Sequence, residues 1–297
     1  MRIAVIAARG LGDGLISMVL THNLCRAGHS VTCFSSVLCH LRQWFPDKTI
    51  QPFPSSTDFY STFSQFDRLI VADHACVNEH HHFGNECIIL KEKEFNRKLT
   101  MVENLKIVCS QRLGLKDVTS DNGIQAPPSL IHGRFPQRII LHPMSTCPKK
   151  NWPAERYLDL YKKLQDVSYE PVLCVSPEER LDWKNIIKTD LYLLPVFPSL
   201  HDLACYIYES KAMIGNDSGV GHLASCLKIP TLSLFARRSH AALWRPGWGY
   251  GQILTAPAFL IGAPLQQKLW KTTLSSRSVT NTFLKMMQEI KHHKISS

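Results

Sequence analysis

Three short stretches of this 297-residue chain gather side chains that could do chemistry. The first is "GNDSGVGHLASCLKIPTLSLF" (215–235). Gly215 and Gly219 let the backbone turn tightly and approach a ligand. Asp217 or Ser218 caps the helix that should follow, and the free N–H groups at such a helix start suit an anion. His222 lies about one turn in, either facing the same end or simply packed in the core. The second stretch is "HPMSTCPKKNWPAERY" (142–157). Ser145, Thr146, Lys149 and Lys150 precede Trp152-Pro153, and Pro153 suits the first turn of a helix. Hydroxyls and lysines beside a helix start suit a phosphate; the other reading is a solvated basic turn. The third is "RGLGDG" (9–14). Its G-x-G-x-G spacing is not a dinucleotide fingerprint, because Leu15 stands where a small residue is needed and no acid ends the next strand. Nor is it a Walker loop, since the chain contains no Gly-Lys pair. What remains is Asp13 on a glycine-rich turn, as an N-cap or as a general base.

These stretches need strands to carry them. "RIAVIAA" (2–8) is apolar without alternation, the pattern of a strand buried on both faces. The spacing predicts a turn over 9–14, a helix over 15–28 stopped by Gly28, and then strand "SVTCFSS". Strands "RLIVAD" (68–73) and "CIIL" (87–90) follow, with a long helix over 96–114 ended by Gly114. "DNGIQAPPSLIHGRFPQ" (121–137) lacks periodicity and marks a domain boundary. The second half alternates again: strand "RIILHP", helix "AERYLDLYKKLQD", strand "PVLCV", helix "EERLDWKNIIK", strand "LYLLPV", helix "SLHDLACYIYES", strand "AMIG", the helix of the first stretch, and strand "TLSLF". Ser199 and Asp202 form a capping-box pattern. Alternation of this kind gives parallel sheets. The expected fold class is α/β, with two Rossmann-like domains, 1–130 and 131–297, facing across a cleft. In doubly wound sheets ligands bind beyond the carboxyl ends of the strands, where all three stretches fall. The last helix, "VTNTFLKMMQEIKHHK", is basic and amphipathic. It packs in the fold, back across the N-terminal domain among the options, or touches a membrane surface.

Composition narrows the partners. A formal charge of +10 favours anions, and no nucleic-acid-binding signature accompanies it. Ten cysteines without a C-x-x-C pair suit reduced thiols in a cytoplasmic protein. The N-terminal apolar run is too short for a signal-peptide core, and no apolar run reaches 18 residues. There is no D-x-D, H-E-x-x-H or G-x-S-x-G motif. His80-His81-His82 reads as a solvated loop rather than a metal site, so neither metal nor cofactor is expected.

The first stretch resembles the D-[ST]-G-x-x-H-L-A-x-x-L-x-x-P-x-x-x-L-[FY] signature of the heptosyltransferase family, glycosyltransferase family 9. The opening strand with "GLGD" and the Lys-x-Trp segment resemble that family's other motifs, in order along nearly the whole chain. The resemblance implies a GT-B fold with the nucleotide-sugar donor in the C-terminal domain, and inverting transfer without a metal. Asp13 would be the catalytic base. Ser145, Thr146, Lys150, Asp217, Ser218 and Gly219 would hold the donor diphosphate, and His222 would order this loop or touch the diphosphate. Glu179, or its neighbour Glu178, would hold the ribose. The implied activity moves a heptose or related sugar from an ADP-heptose-like donor to a lipopolysaccharide-core or other glycolipid acceptor. It would act in the cytoplasm, with peripheral contact at the inner membrane face. The residues that bind the acceptor are not implied. A nucleotide-sugar epimerase or hydrolase on the same fold is the alternative, or a non-catalytic sugar-nucleotide-binding relative. The chain departs from the family's L-[FY]-G-x-T continuation, carrying Ala236, Arg237 and Arg238 in "LFARRSH" (234–240).

Overall fold

The computed structural model describes residues 1–72, 86–187, 194–256 and 263–295. They divide into two compact units, Met1–Pro127 and Pro128–Ser297.

The first unit runs β1 (Arg2–Ile6), α1 (Leu11–Arg26), β2 (Ser30–Phe34), β3 (Thr49–Gln51), α2 (Phe59–Phe63), β4 (Arg68–Val71), β5 (Glu86–Ile89) and α3 (Met101–Ile107). Its strands form one parallel sheet in the order β3-β2-β1-β4-β5. Four of the five β1 residues are buried, as a strand covered on both faces requires. Ala4, Ile6, Phe34, Phe63, Leu69 and Val71 make one core cluster, with Phe34 and Phe63 edge to face at 4.9 Å.

The second unit runs β6 (Phe135–His142), α4 (Ala154–Asp166), β7 (Glu170–Leu173), α5 (Arg180–Ile187), α6 (Leu200–Tyr208), β8 (Ser210–Asn216), α7 (Gly219–Cys226), β9 (Thr231–Phe235), α8 (Arg238–Trp244), β10 (Gly251–Thr255), α9 (Ala263–Thr273) and α10 (Ser276–Ile295). Its parallel sheet has the order β10-β9-β8-β6-β7. The core holds Trp152, Tyr157, Trp183, Trp270 and Phe283. α10 packs on α4 and β10 within this unit, with Phe283 edge to face on Tyr169 and Glu289 hydrogen-bonded to Tyr250.

Several expectations are corrected. "RGLGDG" is not a turn before the helix; α1 starts at Leu11. Glycine costs a helix roughly 1 kcal/mol relative to alanine, but Gly14 is buried, and a Cβ there would stand 3.2 Å from the Leu38 side chain. The glycine serves close packing rather than a turn. The N-cap is therefore Gly10, and Asp13 lies in the first turn, so the N-cap reading of Asp13 fails. Gly28 does end the helix, at φ +83°. The helix expected over 96–114 starts only at Met101, because Thr100 and Glu103 form a full capping box. It passes into a π-turn, Val108–Arg112, before Gly114. The first half of "LYLLPV" lies outside the described residues, and Leu194–Val196 are not strand. His80–His82 and Asp73 also lie outside the described residues.

Candidate functional site

In the second sheet the chain reverses its direction of growth between β6 and β8. Such a switch point leaves a crevice at the strand carboxyl ends. β6 ends there at His142 and β8 at Asn216. In the first sheet the corresponding reversal flanks β1, which leads through residues 7–10 into α1, whose first turn carries Asp13.

Asn216 joins the two strand ends. It is buried, and its Oδ1 accepts from the Trp152 N–H at 3.2 Å and the Tyr157 hydroxyl at 3.0 Å. Its Nδ2 donates to the Pro143 carbonyl. The β6–α4 loop is thus stapled to the end of β8. α9 braces the same loop: Lys271 Nζ donates to the Pro148 carbonyl at 3.0 Å, and Gln267 Nε2 to that of Lys149 at 3.3 Å. The Trp152 indole N–H reaches the Leu274 carbonyl just beyond. Within the loop Ser145 Oγ is spent on structure, 2.9 Å from the Cys147 carbonyl and 2.8 Å from Asn151 Oδ1. Thr146 is exposed.

This bracing brings Lys150 to Asp217. Lys150 Nζ is 2.7 Å from Asp217 Oδ2, and His240 Nε2 is 3.0 Å from the same oxygen. Asp217 is only 9% exposed. Burial alone would raise its carboxyl, but the His240 hydrogen bond and the Lys150 charge outweigh it and hold the group below the ordinary value. The His240 ring stacks on Trp244, one turn along α8, with centroids 6.1 Å apart at 29°.

The start of α7 lies beside this cluster. Ser218 occupies the N-cap position without making a capping bond. Its Oγ is buried with no hydrogen-bond partner. Neither Asp217 nor Ser218 caps α7 through its side chain, contrary to expectation; the Asp217 carboxylate is committed to Lys150 and His240. Gly219 opens the helix as expected. His222 is buried and its Nδ1 also lacks a partner. Burial pushes His222 down to about 4; the nearby Asp217 charge pulls up but does not compensate. The imidazole is therefore neutral at pH 7, held by a bond to the Trp244 backbone.

Glu179 lies at the turn into α5. Its Oε2 accepts from the Ser176 N–H at 2.9 Å, and its own N–H donates to Ser176 Oγ at 3.2 Å. That is a capping box, so the carboxylate shapes the turn. Glu178 is exposed. In the first unit, a Cβ on Gly10 would fall 2.6 Å from Asp13 Oδ2, so the carboxylate lies directly over that glycine. Sequence reasoning missed two site residues. Asn216 sat unremarked beside Asp217, although an amide next to a strand-end acid is a plausible staple. His240 sat within a stretch read only as a departure.

The fold is an α/β arrangement of two parallel sheets, and it matches solved heptosyltransferases. Escherichia coli heptosyltransferase WaaC, solved with ADP, superposes with a TM-score of 0.73 at 16% identity, covering 96% of this chain and 100% of that one. The E. coli ADP-heptose LPS heptosyltransferase II gives 0.71 at 17% identity, covering 98% and 100%. At such identities the likeness speaks to the fold. The sequence goes further: residues 92–251, more than half the chain, match the model of glycosyltransferase family 9 (heptosyltransferase). The chain belongs to that family. Among curated relatives, lipopolysaccharide heptosyltransferase 3 of E. coli K12 is 27% identical over 36% of this chain and 33% of its own length. Lipopolysaccharide heptosyltransferase 1 of Pseudomonas aeruginosa is 28% identical over 34% and 28%. These alignments span about a third of the relatives' length.

Proposed function

We propose that this protein is an inverting, metal-independent glycosyltransferase. It moves a heptose or related sugar from a nucleoside-diphosphate donor of the ADP-heptose type to a lipopolysaccharide-core or other glycolipid acceptor. The observation that carries this reading is the polar cluster at the β6/β8 switch point. There Lys150, Asp217 and His240 meet the uncapped start of α7, where Ser218 Oγ lies buried and unpartnered. Both halves of that cluster lie within the stretch that matches the family.

In this reading the second unit holds the donor. The α7 N–H groups, Lys150 and Thr146 receive the diphosphate and stabilise the charge that grows on it as the sugar–oxygen bond breaks, while Ser145 holds the loop that carries them. The sugar carbon passes through an oxocarbenium-like state. Asp13, in the first unit, takes the proton from the attacking acceptor hydroxyl. His222 is neutral and keeps the α7 start in place without adding charge. Glu179 or Glu178 meets the ribose. The names of the relatives supply the donor and acceptor: one is solved with ADP, and others are called lipopolysaccharide heptosyltransferases. Metal independence rests on family likeness together with the lack of a D-x-D motif. A cytoplasmic, peripheral location is part of the proposal. The +10 charge suits an anionic membrane face, and among the described residues no helix is long and apolar enough to cross a membrane.

The test is Asp13→Ala with an ADP-heptose donor and a lipopolysaccharide-core acceptor. Donor affinity should hold while transfer falls by roughly 10²–10⁴-fold, the range for loss of a general base. Transfer at near wild-type rate would refute the assignment of Asp13.

A further inference from the structure

Asp217 Oδ2 receives two cationic or proton-bearing groups at once, Lys150 Nζ at 2.7 Å and His240 Nε2 at 3.0 Å. A carboxylate can only accept, so His240 Nε2 must carry its proton whether the ring is neutral or charged. The two partners differ in freedom. Lys150 reaches in on a flexible stem from a loop, with 38% of its side chain exposed. The His240 ring is carried on α8 and packs near Trp244 and Phe235, each with its ring centroid 6.1 Å away. Lys150 is the partner that can leave, and His240 is the one that stays.

For Lys150 to serve a diphosphate it must loosen its hold on Asp217. Stripping a buried carboxylate of its only partner is strongly unfavourable. Asp217 does not face that outcome, because the imidazole N–H remains. We propose that His240 is a positioning residue: it holds Asp217 when Lys150 turns to the donor diphosphate, which makes the Lys150–Asp217 pair a releasable latch. The inference rests on the reading that Lys150 meets the donor diphosphate. It adds a residue from the stretch where this chain leaves the family pattern, so family likeness does not supply it.

The test is calorimetric titration of the full chain with ADP, with GDP and UDP in parallel, and with the matching nucleosides as controls. Wild type should bind at least one nucleoside diphosphate, and Lys150→Ala should weaken that binding. His240→Asn, whose amide is too short to reach Asp217, should weaken it about tenfold. His240→Gln, which can place an N–H where the imidazole Nε2 stands, should bind within about threefold of wild type. Adding Asp217→Asn to His240→Asn should recover most of the loss, since a neutral amide no longer holds the lysine. Nucleoside affinity should be the same in every variant, which a general loss of structure would not leave untouched. If His240→Asn does not fold, His240→Ala replaces it. His240→Asn binding like wild type while Lys150→Ala is weak overturns the latch and leaves the donor site standing. A double variant as weak as His240→Asn alone overturns it too. Wild type that binds no nucleoside diphosphate, or Lys150→Ala that binds normally, overturns the donor-site reading and the latch with it.

Discussion

Acidification from pH 7 to pH 5 should weaken the second unit, and one substitution isolates the share carried by His222. Its imidazole is held at about 4 in the folded chain, against 6.5 for an unconstrained histidine. Below 6.5 the unfolded chain takes up a proton that the folded chain refuses. The folded state therefore has its full advantage above 6.5 and loses it as pH falls toward 4, where both states become protonated. Linkage over that window gives a loss of about 2 kcal/mol by pH 5 and about 3 kcal/mol by pH 4, flattening below. The perturbation is His222→Met, which keeps bulk and removes the titration. Urea unfolding followed by tryptophan fluorescence is the assay. It reports mainly on the second unit, which holds Trp152, Trp183, Trp244, Trp248 and Trp270, against Trp44 alone in the first. Burial also lowers His142, with the same sign, but that group is present in both proteins and cancels in the comparison. The variant's stability should fall by about 2 kcal/mol less than wild type between pH 7 and pH 5. Equal slopes would show that His222 is not held neutral by burial, and the account of the α7 start would fall with it.

Two further outcomes follow from geometry. Gly10 has φ −74° and ψ 151°, which alanine adopts freely, so only the Asp13 carboxylate opposes a Cβ there. Gly10→Ala should leave urea stability and donor affinity unchanged while transfer drops roughly 10- to 100-fold from a displaced base; steady-state kinetics beside calorimetry would separate the two. Asn216→Ala orphans the backbone N–H of Trp152 and the Pro143 carbonyl and leaves the Tyr157 hydroxyl only the His142 carbonyl, at roughly 1–3 kcal/mol for each group left without a partner. Some of them will find substitutes, so a loss of about 3 kcal/mol in urea unfolding is expected, and a change below about 1 kcal/mol would count against the staple.

The parts of the fold that sequence revealed were those written in short range. β1, β8 and β9 were visible because each is an apolar run too short for a helix, and parallel strands are buried on both faces. β3 spans three residues, and β10 is only half-buried, so neither stood out. The start of α1 was misplaced because Gly12 and Gly14 suggest a turn, while Gly14 is a glycine because Leu38 packs against it. Ser145, Lys150, Asp217, Ser218 and His222 were each visible as candidates. Their pairing was not. Lys150 meets Asp217 across 67 positions only because β6 lies beside β8, and strand order is set by long-range packing that one sequence does not display. Glu179 shows the opposite limit. Ser176 and Glu179 carry the S-x-x-E pattern of a capping box in plain view, but only the ribose reading of the acid was drawn from it, and the turn it builds was not.

The pairing of Lys150 with Asp217 has a consequence for how an anion arrives. With the two charges 2.7 Å apart, the ammonium's field largely cancels against the carboxylate beyond its immediate neighbourhood. A distant diphosphate is drawn by the +10 surplus of the whole molecule rather than by this lysine. That broader pull fades beyond a screening distance of about 8 Å at physiological ionic strength. Added salt should therefore slow encounter through the surface charge, while the exchange of partners at Asp217 proceeds at a pace that salt hardly touches.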